Sequence, residues 1–133
     1  MSVARPGDAS MASRKITRDR IEQFATLTGD DNPLHLDDEY ASDGLFDGPI
    51  AHGMLAAGVI SSALADLPGD IIYLSQDLQF ERPVFPGQCV TATAEVVESL
   101  GDNRLAVETI AEVEGETVVS GDAVVLSLAR ESL

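Results

Sequence analysis

GMLAAGVISSALA, Gly53 to Ala65, is a run of thirteen residues without a charge. Leucine, isoleucine, valine and alanine occur all round its helical projection, so a helix here is buried on most of its sides. Leu67-Pro68-Gly69 closes it, because proline cannot continue the hydrogen-bond ladder. A buried helix needs a wall, and the second half of the chain supplies one. IIYLSQDLQFE (71–81), QCVTATAEVVES (88–99), RLAVETIAEVE (104–114) and ETVVSGDAVVLSLAR (116–130) read as four long strands. Alternation is clear at Val90, Ala92, Ala94 and Val96, and again from Leu105 to Val113. LGDNR and EGE supply the hairpin turns. Gly121, inside the last strand, predicts a bulge, and Cys89 reads as a small buried apolar side chain. One antiparallel sheet of five or so strands wrapped round one apolar helix satisfies these constraints, an α+β arrangement. Such a sheet leaves an edge, and pairing two copies would cover it, so a homodimer is expected.

Upstream of the apolar run the signals are local. Residues 1–11 read as a flexible tail, and 12–133 as a single domain, the size of one compact unit. Arg14 to Ile16 suits a short strand. Thr17 fits a helix N-cap, with Asp19 in the first turn where the dipole favours an acid. Ile16 and Ile21 stand at the two arms of a hydrophobic staple. Ile21, Phe24, Ala25 and Leu27 continue the helical spacing, and Gly29 is placed to end it left-handed. Asp37 can cap a short helix through Ala41.

Charge and composition exclude several classes of partner. Twenty-three acidic residues face eight basic ones, a net of −15, and Lys15 is the only lysine. Nucleic acid and anionic membranes would be repelled. The acid excess suits a salt-rich cytoplasm, where the Debye length falls to about 3 Å at 1 M. One cysteine allows neither an internal disulfide framework nor a cysteine zinc site. The opening residues lack an apolar secretory run, and no stretch reaches the roughly 20 apolar residues of a membrane span. A soluble, cytoplasmic protein is expected.

The densest chemistry is TGDDNPLH, Thr28 to His35. Pro33 should prevent a new helix from starting at once after Gly29. Asp30 and His35 are five apart and would diverge in a continuous helix, but across a turn they can converge on one water. Histidine titrates near neutrality and suits proton transfer. Asn32 can tie the turn together. Taken singly, each of these is also an ordinary loop residue.

Together with the apolar helix before it, the AHGM of Ala51 to Met54 and the QDLQFERPVFPG of Gln76 to Gly87, this motif resembles the MaoC-like (R)-specific enoyl-CoA hydratases. The resemblance runs from about Ile16 to Leu128. It implies a hotdog fold, dimeric assembly, and hydration of a trans-2-enoyl-CoA to an (R)-3-hydroxyacyl-CoA, with uses in polyhydroxyalkanoate supply or fatty acid metabolism. It implies Asp30 and His35 as the catalytic pair. Gly53, at a helix start rich in unpaired N–H donors, is the expected oxyanion donor. Asn32, Ser61 and Arg82 are candidate substrate-binding residues. Ser61 is equally a packing residue, and Arg82 either meets a coenzyme A phosphate or bridges to a surface acid. His52 is read as structural. No cofactor beyond the coenzyme A of the substrate is expected, and no metal, although two histidines and many carboxylates leave a facial triad open. An acyl-CoA thioesterase, or a non-catalytic acyl-thioester binding protein on the same fold, is the alternative.

Overall fold

The computed structural model describes residues 2–130. Its elements run β1 (Ala9–Lys15), α1 (Arg18–Thr28), α2 (Pro33–Leu36), α3 (Asp38–Ser42), α4 (Gly53–Ala65), β2 (Asp70–Gln76), β3 (Gln79–Phe80), β4 (Cys89–Gly101), β5 (Arg104–Val113) and β6 (Glu116–Leu128). All strand pairs are antiparallel, in the order β1-β4-β5-β6-β2, with the two-residue β3 also on β6. The sheet curls round α4, which packs against β1, β2, β4, β5 and β6. This is the hotdog arrangement. The first of the four long strands expected from sequence is split into β2 and β3.

The strand faces follow from the period-2 pattern. Val90, Ala92, Ala94 and Val96 of β4 and Leu105, Val107 and Ala111 of β5 are buried against α4. The β4–β5 hairpin turns through Asp102 and Asn103, with φ of 55° and 64°, and Gly101 pairs with Arg104. Two consecutive positive φ values are those of a type I′ turn, whose twist matches the flanking strands. Glu114 and Gly115, at 52° and 81°, do the same between β5 and β6.

Several expectations need correction. Of the tail expected over residues 1–11, Met1 lies outside the described residues and the segment from Ala4 is held to the sheet: Ala4 is fully buried, its N–H donates to Ser127 Oγ at 2.9 Å, and β1 begins at Ala9. Gly121 is not a bulge. It pairs in register with Thr109, and the β5–β6 shift lies between Ala111 and Glu112. A Cβ at Gly121 would lie 1.8 Å from the Asp77 carbonyl oxygen, so the glycine admits a crossing backbone. Cys89 is exposed at the start of β4.

The helix α4 buries Ala56, Ala57, Val59, Ile60, Ala63 and Leu64, yet leaves Met54, Gly58, Ser61 and Ala65 exposed. The wall is therefore one-sided, and an uncharged stripe faces outward. Beside it the edge strand β2 exposes Ile72, Tyr73 and Leu74. No helix among the described residues is long and apolar enough to cross a membrane.

Candidate active site

The helix α1 ends as its sequence dictates. Thr17 Oγ1 caps Arg20 N–H at its start, Ile16 and Ile21 are both buried beneath that cap, and Gly29 closes the helix left-handed at φ 81°. Pro33 does not delay the next helix, as expected, but opens it. Asn32 Oδ1 accepts from Leu34 N–H at 3.0 Å, and proline stands at N1, where no N–H is needed. The helix α2 is one turn long and turns His35 back towards α4. Asp37, the expected cap, accepts from Tyr40 N–H and starts α3.

Asp30 and His35 thus converge. The ligating atoms of Asp30, His35 and His52 all lie within 4.8 Å of one another. All three line a cavity of about 520 Å³ at the N-terminal end of α4, with Gly53, Phe80 and Arg82 also on its wall. His35 Nδ1 lies 2.7 Å from the carbonyl oxygen of Ile50. A carbonyl only accepts, so Nδ1 carries the proton and a neutral His35 presents a free lone pair at Nε2. His52 is buried, and its Nε2–H donates to the backbone carbonyl of Asp30 at 2.9 Å. Its ring stacks on His35 with centroids 4.0 Å apart, and the Phe24 ring packs against it, tilted, at 4.7 Å. His52 therefore clamps both halves of the turn, a role that the AHGM stretch alone does not reveal. Its own Nδ1 is buried without a partner.

The same three groups bear on a metal. Each imidazole has one nitrogen on a backbone carbonyl, which is how ligand histidines are often oriented. The two rings stack at 28°, and Asp30, His35 and His52 together have the ligand types and spacing that could hold a metal ion.

The remaining expected residues fall in different places. Gly53 is the first residue of α4, and a Cβ there would lie 2.7 Å from the Phe80 ring, so its bareness admits Phe80 to the cavity wall. Arg82 lines the cavity, but its guanidinium donates to the Thr117 carbonyl at 2.8 Å and lies 3.5 Å from the Glu116 carboxylate. Asn32 is spent on the cap of α2 and does not line the cavity. Ser61 is exposed on α4 and lines a separate groove against β2. In that groove burial holds the Tyr73 hydroxyl above its ordinary range, and it donates to Gln76 Oε1 at 2.9 Å.

Comparison with known proteins matches residues 3–122 to the MaoC like domain family. The chain is 42% identical to an (R)-specific enoyl-CoA hydratase of Aeromonas caviae, covering 90% of this chain and 92% of that protein. It is 39% identical to an (R)-specific enoyl-CoA hydratase of Rhodospirillum rubrum, over 93% of this chain and 88% of the relative. Among solved structures, an unliganded R-hydratase from Pseudomonas aeruginosa superimposes with a TM-score of 0.88 at 34% identity, covering 99% of this chain and 92% of that one.

Proposed function

The chain belongs to the MaoC-like family, and from that premise we propose that it is an enoyl-CoA hydratase, adding water to a trans-2-enoyl-CoA to give the (R)-3-hydroxyacyl-CoA. The observation that carries the reading to particular residues is the convergence of the Asp30 carboxylate and the His35 imidazole within 4.8 Å at the head of α4. Two acceptors at that separation can hold one water that donates a hydrogen to each. Its oxygen lone pairs are then free to face the substrate.

The steps follow from the groups at hand. The thioester carbonyl withdraws electrons and makes Cβ electrophilic. Water oxygen bonds to Cβ while His35 Nε2, free because Nδ1 is held by Ile50, takes its proton. The π pair moves towards the thioester oxygen as an enolate. The N–H of Gly53 is the proposed donor to that oxygen, at a helix start where the dipole favours negative charge. The proton passes from His35 to Asp30 and on to Cα, on the face that received the hydroxyl. Both residues return to their starting states, and no cofactor or metal takes part.

The protein is proposed to work as a cytoplasmic homodimer. The uncharged stripe Met54, Gly58, Ser61 and Ala65 and the apolar edge residues of β2 support this, since a second copy set edge to edge on β2 would cover both. Incubation with crotonyl-CoA tests the activity: loss of the conjugated thioester absorbance without release of free thiol supports hydration. Thiol release without hydration would point to the thioesterase alternative, and binding without turnover to a sensor.

A further inference from the structure

Residues 14–20, RKITRDR, carry four cations and one acid, a local net of +3 in a chain of net −15. Half of the eight basic residues of the protein stand in these seven positions. Arg18 is paired, its Nη1 lying 2.7 Å from Asp38. Arg14, Lys15 and Arg20 are exposed and, among the described residues, have no carboxylate partner. Arg14 and Arg20 each place one guanidinium nitrogen on a backbone carbonyl, of Ser13 and Lys15 respectively. Each keeps further donors free. Arg14 and Arg20, on one groove and without a carboxylate partner amid 23 acids, imply an anion from outside the chain.

The patch is joined to the site. Arg14 and Arg20 stand on the rim of a groove of about 440 Å³ between α1 and α4, floored by Phe24, Leu27, Met54 and Gly58. Met54 lines both this groove and the Asp30–His35 cavity, and Phe24 packs on His52. Arg20 and Asp30 stand at opposite ends of α1, ten residues apart in the chain, which at 1.5 Å per residue is about 15 Å. That span suits an extended pantetheine arm. Arg82, for which the sequence left a phosphate or a surface acid open, is tied to Thr117 and Glu116 and lies at the cavity itself.

We infer that Arg14 and Arg20 receive the phosphates of the coenzyme A thioester, with its pantetheine arm lying along the α1–α4 groove towards Asp30 and His35. The inference rests on the hydratase reading above. Met54 and Gly58 also belong to the stripe that a second copy seated on β2 would cover, so in the proposed dimer the floor of this groove borders the seam between the copies, with Arg14 and Arg20 on its α1 side.

The test compares wild type with Arg14→Gln/Arg20→Gln on crotonyl-CoA and on the crotonyl thioester of N-acetylcysteamine, which has no phosphate. The double variant should raise KM for crotonyl-CoA on the order of tenfold with kcat little changed. The defect should shrink as KCl is raised, and the truncated thioester should be handled as by wild type. An unchanged KM for crotonyl-CoA would overturn the inference, and so would an equal loss on both substrates. A change in oligomeric state, read by light scattering, would overturn it in favour of an intersubunit role for these cations. Calorimetric titration with free coenzyme A keeps the two readings apart: if wild type binds it more tightly than the double variant but does not hydrate crotonyl-CoA, the hydratase reading fails and the phosphate site stands.

Discussion

His52 lies face to face with His35, ring centroids 4.0 Å apart, while its Nε2–H holds the backbone carbonyl of Asp30. One buried side chain thereby fixes the position of both groups proposed to grip the water. His52→Ala removes the stack and the clamp but neither proton-transfer group. Misplacement of a reacting group by about 1 Å can cost on the order of 10²-fold in rate. We expect kcat on crotonyl-CoA to fall by about that factor while KM changes little. Retention of full kcat in a folded variant would show that the clamp is dispensable.

The bond from Ala4 N–H to Ser127 Oγ, which itself donates to the Pro68 carbonyl, ties the N-terminal segment to the closing turn of α4. Ser127 is fully buried. Ser127→Ala strands a buried N–H and a carbonyl, and an unsatisfied buried group costs about 1–3 kcal/mol. Urea denaturation should show a loss in that range, with activity per folded molecule preserved.

Salt should stabilise the fold. Glu95 pairs directly with Glu108, and Glu108 with Asp122, so three exposed carboxylates lie in a row across β4, β5 and β6, with Asp77 beside them. Like charges directly opposite on a sheet are destabilising, and salt screens them. The melting temperature should rise with KCl. Glu108→Gln should raise it by roughly 2–5 °C in dilute buffer and hardly at all in concentrated KCl. A melting temperature indifferent to KCl would count against the salt-rich setting read from the acid excess.

Local signals carried the framework into the sequence. Thr17, Gly29 and Asp37 act as the caps that their side chains and conformations predict, because a cap depends on its own neighbours. The alternation in β4 and β5 is legible for the same reason, and so are the Asp102–Asn103 and Glu114–Gly115 turns. The misread residues are those whose role is set by distant contacts. Gly121 looks like a bulge until Asp77 crosses it, and Pro33 looks like a break until Asn32 is seen to cap the helix it opens. His52 is structural and stands at the start of α4, as read, but its partners Asp30 and His35 lie 22 and 17 positions earlier, so the clamp itself is not legible locally. The open stripe of α4 was hidden by composition: an uncharged helix face reads as buried whether its cover comes from its own chain or another.

The most direct measurement is the rate of crotonyl-CoA hydration by purified Asp30→Asn and His35→Gln, each checked for native circular dichroism. With both groups needed to hold and deprotonate one water, each variant should lose activity by at least about 10²-fold. Near wild-type turnover in both, with the fold intact, would contradict the account.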